Sequence, residues 1–155
     1  MSARLDYFAV APDLLKPMVA LEHTVRQSGL DPALLELVKI RASQLNGCAF
    51  CIYMHTTDAQ KHGETPMRLH LIAAWREASL YTPRERAALA WTEALTLLPQ
   101  SQAPDDVYAE VAAHFDERER VALTLLIVTI NGWNWLAMGF RSQHPVAPQA
   151  TREAA

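Results

Sequence analysis

The chain has 155 residues, half of them hydrophobic and a fifth charged, with a net charge of −3. That composition fits one folded domain with a modest core and excludes a disordered segment. Lys and Arg are outnumbered by Asp and Glu, and no Lys/Arg-rich run occurs, which argues against a nucleic-acid partner and against an anionic membrane surface.

The opening MSARLDYFAV has no apolar run after its first Arg. It does not read as a secretory signal, so a cytoplasmic location is the expectation. From there the punctuation is helical. A first helix is expected over 12–28, with Gly29 just beyond its end. Asp31-Pro32 reads as an N-cap followed by a first helical residue, opening a helix over 32–46. Asn46 can cap a further helix over 48–62, with Gly47 permitting the break between the two and Gly63 following its end. Thr65-Pro66 opens a helix over 66–79. Thr82-Pro83-Arg84-Glu85 opens another over 83–98, with Glu85 completing a capping box. In that segment Ala87, Ala90, Trp91, Ala94, Leu95 and Leu98 fall on one stripe, and Arg84, Glu85, Thr92 and Glu93 face mostly elsewhere. Two more helices follow, over 104–114 and, after Asp116 and Glu119, over 117–141. No segment alternates as a half-buried strand does, so the fold class is all-α, a single domain over 1–142 with six to seven helices. The residues from Gln143 onward, with two prolines and small side chains, are expected to form a flexible tail.

Val121 to Phe140 carries no charge and is long enough to cross a bilayer. It also contains Thr124, Thr129, Asn131 and Asn134, whose polar groups are costly in lipid. A core helix, or one buried against a partner subunit, is the better reading.

The chemistry concentrates in Glu36 to His55. Cytosolic thiols are normally reduced, so two cysteines three apart suggest a redox or metal role rather than a structural staple. On a helix, Cys51 lies about 60° and His55 about 20° to the same side of Cys48, so all three project from one face. Cys48 and Cys51 are within disulfide reach at that spacing. Cys48 sits in the first turn, where the positive end of the macrodipole lowers a thiol pKa. His55, four residues after Cys51, can take a thiol proton, and Glu36 can orient that imidazole if the two helices fold back on each other.

The spacing Glu36, eleven residues, Cys48, two residues, Cys51, three residues, His55, set in LVKIRASQLNGCAFCIYMH, resembles the AhpD-like proteins of the carboxymuconolactone decarboxylase family. TPRERAALAWTEAL resembles the helices that follow in the same family, and NGWNWLAMGF is a looser match. The resemblance implies an all-helical fold that assembles as a trimer or hexamer. It implies a peroxidase for alkyl hydroperoxides or hydrogen peroxide, with no cofactor, restored by a lipoyl-bearing or thioredoxin-like thiol donor. It makes Cys51 the peroxidatic cysteine and Cys48 the resolving one, with Glu36 and His55 as the proton relay. Adjacency to His55 agrees with Cys51, while helix-end electrostatics favours Cys48 as the more acidic thiol. One position departs from the best-known pattern: Phe50 stands where a second histidine precedes the second cysteine, so one relay member is missing and a weaker peroxidase turnover is expected.

Other readings compete. The cysteines can be packing residues, or can join His55 and Glu36 on zinc. A thioredoxin fold needs βαβ units that are not visible. A decarboxylase-type enzyme of the same fold needs no CxxC pair, and a redox-sensing or metal-holding protein needs no substrate. His23, His62, His70, His114 and His144 have no partner pattern. Trp75, Trp91, Trp133 and Trp135 read as core or interface anchors. Arg41 and Lys39 are relay neighbours or surface charges, with Lys39 assigned to the surface. Tyr53 either lines the peroxide pocket or packs.

Overall fold

A computed structural model describes residues 2–145. Of the tail expected from Gln143, residues 143–145 are coil and the remainder lies outside the described residues. Among the described residues the elements are α1 (Tyr7–Val10), α2 (Pro12–Arg26), α3 (Pro32–Asn46), α4 (Ala49–Lys61), α5 (Pro66–Leu71), a 3₁₀ turn (Ile72–Ala74), α6 (Pro83–Thr96), α7 (Leu98–Ser101), α8 (Asp105–His114) and α9 (Glu117–Phe140). There is no strand among them, and the fold is all-α.

The helix starts obey local chemistry. Asp31, Thr65, Thr82 and Asp116 each accept a backbone N–H of the first turn, and Thr82–Glu85 and Asp116–Glu119 form full capping boxes. Some elements depart from expectation. The helix expected over 66–79 ends at Leu71 and passes into a 3₁₀ turn, and the irregular backbone that follows is held by the guanidinium of Arg86, which donates to the carbonyls of Trp75, Arg76 and Ala78. α6 stops at Thr96 because Pro99 supplies no N–H to continue it, and α7 begins there instead. The four-residue α1 is too short to show a period. It forms on the Asp6 cap, and Arg4 pins the segment before it to the carbonyls of Gly139 and Phe140.

α3 is the centre of the molecule. It packs against α4, α6 and α9, and every residue from Leu34 to Ile40 is buried. Two apolar clusters flank it. One joins α2, α3, α6, α8 and α9 through Val25, Leu35, Trp91, Val111 and Leu126. The other joins α3, α5, the 3₁₀ turn and α6 through Leu37, Leu69, Ile72 and Leu89. On α6, Thr92 does not face outward as expected: it is fully buried, which is tolerated because its hydroxyl donates to the carbonyl of Ala88. α9 has the length and apolar composition of a membrane span, but half of its most apolar window is buried in the protein. Its amides Asn131 and Asn134 point inward, as befits a core helix with one outer stripe.

Candidate functional site

The site grows from the junction of α3 and α4. Gly47 ends α3 in the left-handed conformation at φ 72°, where a glycine carries no Cβ penalty. The chain then re-enters a helix at once, and the N-cap is Cys48 itself, not Asn46: its Sγ faces the N–H of Cys51 at 3.4 Å. The Asn46 amide is drawn elsewhere, donating to Oδ1 of Asn131 at 2.7 Å and of Asn134 at 2.8 Å. Asn134 in turn donates to Oγ of Ser43 at 3.0 Å. This buried network ties the end of α3 to α9 directly behind the cysteines.

Both cysteines carry free thiols and are about 1 % exposed. They share charge unequally. The thiol of Cys48 is lowered to about 7, chiefly because the Cys51 S–H bonds to it, with help from the backbone N–H groups of Cys51 and Phe50 against the effect of burial. The thiol of Cys51 is pushed up, because it is the donor to Cys48 and because it is buried, with Asn134 opposing. The arrangement therefore favours negative charge on Cys48 over Cys51.

Behind Cys51, His55 from α4 meets Glu36 from α3: His55 Nδ1 lies 2.7 Å from Glu36 Oε2, with both side chains buried. Burial raises the Glu36 carboxyl, but the hydrogen bond from His55 and the charges of His55, Lys39 and Arg26 outweigh it and hold it below the usual carboxylate range. An ionised carboxylate only accepts, so Nδ1 donates to it and Nε2 is the ring nitrogen turned away from Glu36.

The two sulfurs open into different cavities. Cys51 and His55 line a cavity of about 260 Å³ walled by Tyr7, Phe8, Val19, Phe50, Met54 and Trp133, with Glu22 and Arg26 at its edge. Cys48 lines another, of about 370 Å³, with Arg141, Ser142, Gln143 and His144. Phe50 and Ala137 contribute to both, so the aromatic ring in place of a second histidine is a shared wall.

All four expected site residues, Glu36, Cys48, Cys51 and His55, thus lie together. Lys39 does not lie on the surface: it is fully buried on α3, 2.5 Å from Glu22 and 3.7 Å from Glu36. Those two carboxylates explain how a lysine can be there. Arg41 is no relay neighbour; it pairs with Glu93 of α6 at 2.7 Å. Tyr53 is exposed and lies near His144, outside the Cys51 cavity. Trp75 and Trp91 are core residues, Trp133 walls the cavity, and Trp135 is exposed. Among the described residues no three His, Cys, Asp or Glu side chains are gathered as a cation site. Sequence reasoning missed Glu22, Arg26 and Asn134. Their signals were present, as an acid–base pair four apart and as two amides three apart in an apolar helix.

A family model described as the carboxymuconolactone decarboxylase family matches residues 12–94. The uncharacterized protein YdfG of Bacillus subtilis (strain 168) is 46% identical over 144 residues, spanning 92% of this chain and 98% of its own. A crystal structure of an Agrobacterium tumefaciens protein of unknown function, whose name suggests the antioxidant defence protein AhpD, superposes with a TM-score of 0.92 at 42% identity, covering 94% of this chain and all of that one. The debrominase Bmp8 shares the fold, with a TM-score of 0.82 at 20% identity over 92% of this chain and 77% of its own.

Proposed function

The chain is an AhpD-like member of the carboxymuconolactone decarboxylase family, and on that premise we propose that it is a thiol-dependent peroxidase acting on organic hydroperoxides or hydrogen peroxide. The observation that carries the reading is the shared cavity of Cys51 and His55, with Glu36 bonded to the far side of the imidazole. A sulfur, an imidazole and an orienting carboxylate are the parts a directed thiol nucleophile needs.

In this reading His55 Nε2 takes the Cys51 proton, and the Cys51 thiolate attacks the terminal oxygen of the hydroperoxide. The O–O bond breaks, the leaving alkoxide takes the proton back from His55 and departs as an alcohol, and Cys51 becomes a sulfenic acid. Cys48, whose thiol is lowered to about 7, then attacks the Cys51 sulfur as a thiolate. Hydroxide leaves, is protonated to water, and the two sulfurs are joined. Two thiols from a donor, a lipoyl-bearing or thioredoxin-like protein, reduce that disulfide and end as a disulfide themselves. The second cavity gives such a donor its own approach to Cys48. The protein works as a homo-oligomer, a trimer or hexamer.

The lowered thiol of Cys48 favours a second reading in which Cys48 attacks first. One experiment separates the two. Free thiols are titrated before and after one equivalent of tert-butyl hydroperoxide in wild type, Cys48→Ser and Cys51→Ser. The proposal expects wild type to lose two thiols without cross-linking, Cys48→Ser to stop at a sulfenic acid, and Cys51→Ser to stay unreacted. Sulfenic acid in Cys51→Ser alone would reverse the roles. No thiol loss in wild type would end the peroxidase reading.

A further inference from the structure

The mechanism above leaves one buried ion pair unused. Lys39 has no exposed surface, yet its ammonium lies 2.5 Å from Oε1 of Glu22 and 3.7 Å from Oε1 of Glu36. Arg26 joins the same group, 3.0 Å from Glu22 and 3.9 Å from Glu36. The two oxygens of Glu36 are thereby divided. Oε2 faces His55, and Oε1 faces the two cations. Taking a lysine out of water is costly, and a neutral residue of similar length would fill the same space without that cost. A charge kept there in spite of the cost has an electrostatic effect on whatever lies beside it, and what lies beside it is the carboxylate of the relay.

We propose that Lys39, locked to Glu22, is a positioning residue of the relay: it holds Glu36 turned and charged, and so sets the pH at which His55 can take the Cys51 proton. The inference rests on the relay read above, but not on peroxide being the substrate. The groups facing this cluster are Glu22 and Arg26 on α2, Glu36 and Lys39 on α3, and His55 and Asp58 on α4, with Lys61 paired to Asp58 at 2.7 Å. Two cations and two carboxylates, Lys39, Arg26, Glu22 and Glu36, balance one another around the imidazole. A proton arriving on His55 then meets a neutral cluster in which the nearest group is Glu36. Glu22 also lies at the edge of the Cys51 cavity, so it links the pair to the space where the sulfur reacts.

The sign of each substitution follows. Removing the Lys39 charge leaves an excess of negative charge, which favours the protonated forms of His55 and Cys51 alike, so the reactive form of Cys51 appears at higher pH. Removing the Glu22 charge does the reverse. The test uses the rate of Cys51 alkylation by iodoacetamide against pH, in a Cys48→Ser background so that one thiol reports. Lys39→Met is expected to move the inflection upward by about one pH unit, Glu22→Gln to move it downward, and the double variant to bring it back toward the parent. A purely structural Lys39 would lower the melting temperature without moving the inflection, and the neutral double variant would not restore it. If Lys39→Met does not fold, Glu22→Gln still tests the claim with the opposite sign. An unmoved inflection in the variants that fold overturns the assignment of Lys39. Failure of wild type to react with peroxide overturns the peroxidase reading and leaves the inflection as it is.

Discussion

At the scale of single residues, the thiol pair is asymmetric because of where the helix begins. Cys48 is the N-cap of α4 and faces the backbone N–H of Cys51 and the Cys51 thiol. Each of these groups favours a negative sulfur, and together they overcome burial. The ionised sulfur is the nucleophile, so alkylation of Cys48 should rise with pH through a midpoint of about 7. Cys51 should lag behind it at the same pH. Peptide mapping by mass spectrometry after short pulses of iodoacetamide reads the two sites separately. Equal rates at both cysteines, or a faster Cys51, would contradict the hydrogen-bond arrangement described. The acidity of Cys48 was legible in the sequence from its place at a helix start. That Cys51 is the donor was not, because it depends on the sulfur-to-sulfur contact and on burial, which the spacing alone does not reveal. Lys39 was misplaced for a similar reason: a helix period puts a lysine on a face, but only the tertiary partner Glu22 reveals that this face is buried.

At the scale of elements, the junction of α3 and α4 fixes both sulfurs. It is built from a left-handed glycine, with one N-cap and one buried amide network. Nothing lies within 4 Å of a Cβ placed on Gly47, but its φ is 72°. An alanine there meets strain and no clash. Gly47→Ala should cost about 1 kcal/mol and lower the melting temperature by a few degrees in a thermal scan. No loss at all would mean that the turn relaxes to another backbone, and the Cys48 cap would then change with it. The sequence showed this junction because Gly is the residue that ends helices in this conformation. It misassigned the cap, because Asn is the better capping residue in isolation. Here the Asn46 amide finds two buried partners on α9, Asn131 and Asn134, and those bonds were invisible until α9 was laid against α3. The same contrast explains α5 and α6. Their starts are written in adjacent residues, Thr65-Pro66 and Thr82-Pro83. The irregular stretch between them is not: it is held by Arg86, which reaches the carbonyls of Trp75, Arg76 and Ala78 across the fold.

At the scale of the whole molecule, α9 has two different apolar faces. Its inner face, with Leu123, Leu126, Ile127 and Ile130, is buried against the core. Its outer face carries Val121, Leu125, Val128 and Trp135, with relative exposures of 61 %, 37 %, 56 % and 68 %. These positions are spaced four, three and seven apart, so they line up along one side of the helix. A stripe of large apolar side chains on a surface helix marks an interaction surface, and an exposed tryptophan at one end suits the anchor of such a contact. The oligomer proposed above gives this stripe an occupant, further copies of the chain, either packed around a three-fold axis or meeting across a two-fold axis between trimers of a hexamer. A charge placed in the stripe would be desolvated in the assembly and solvated in the monomer, so it should shift the equilibrium without damaging the fold. Val128→Glu and Trp135→Glu are therefore expected to dissociate the assembly in sedimentation velocity while leaving the helical circular dichroism unchanged. Lys16→Glu, a charge reversal on α2 outside the stripe, serves as the control. If wild type sediments as a monomer at all concentrations, the oligomer is wrong. If it assembles and both stripe variants remain assembled, the contact lies on another face.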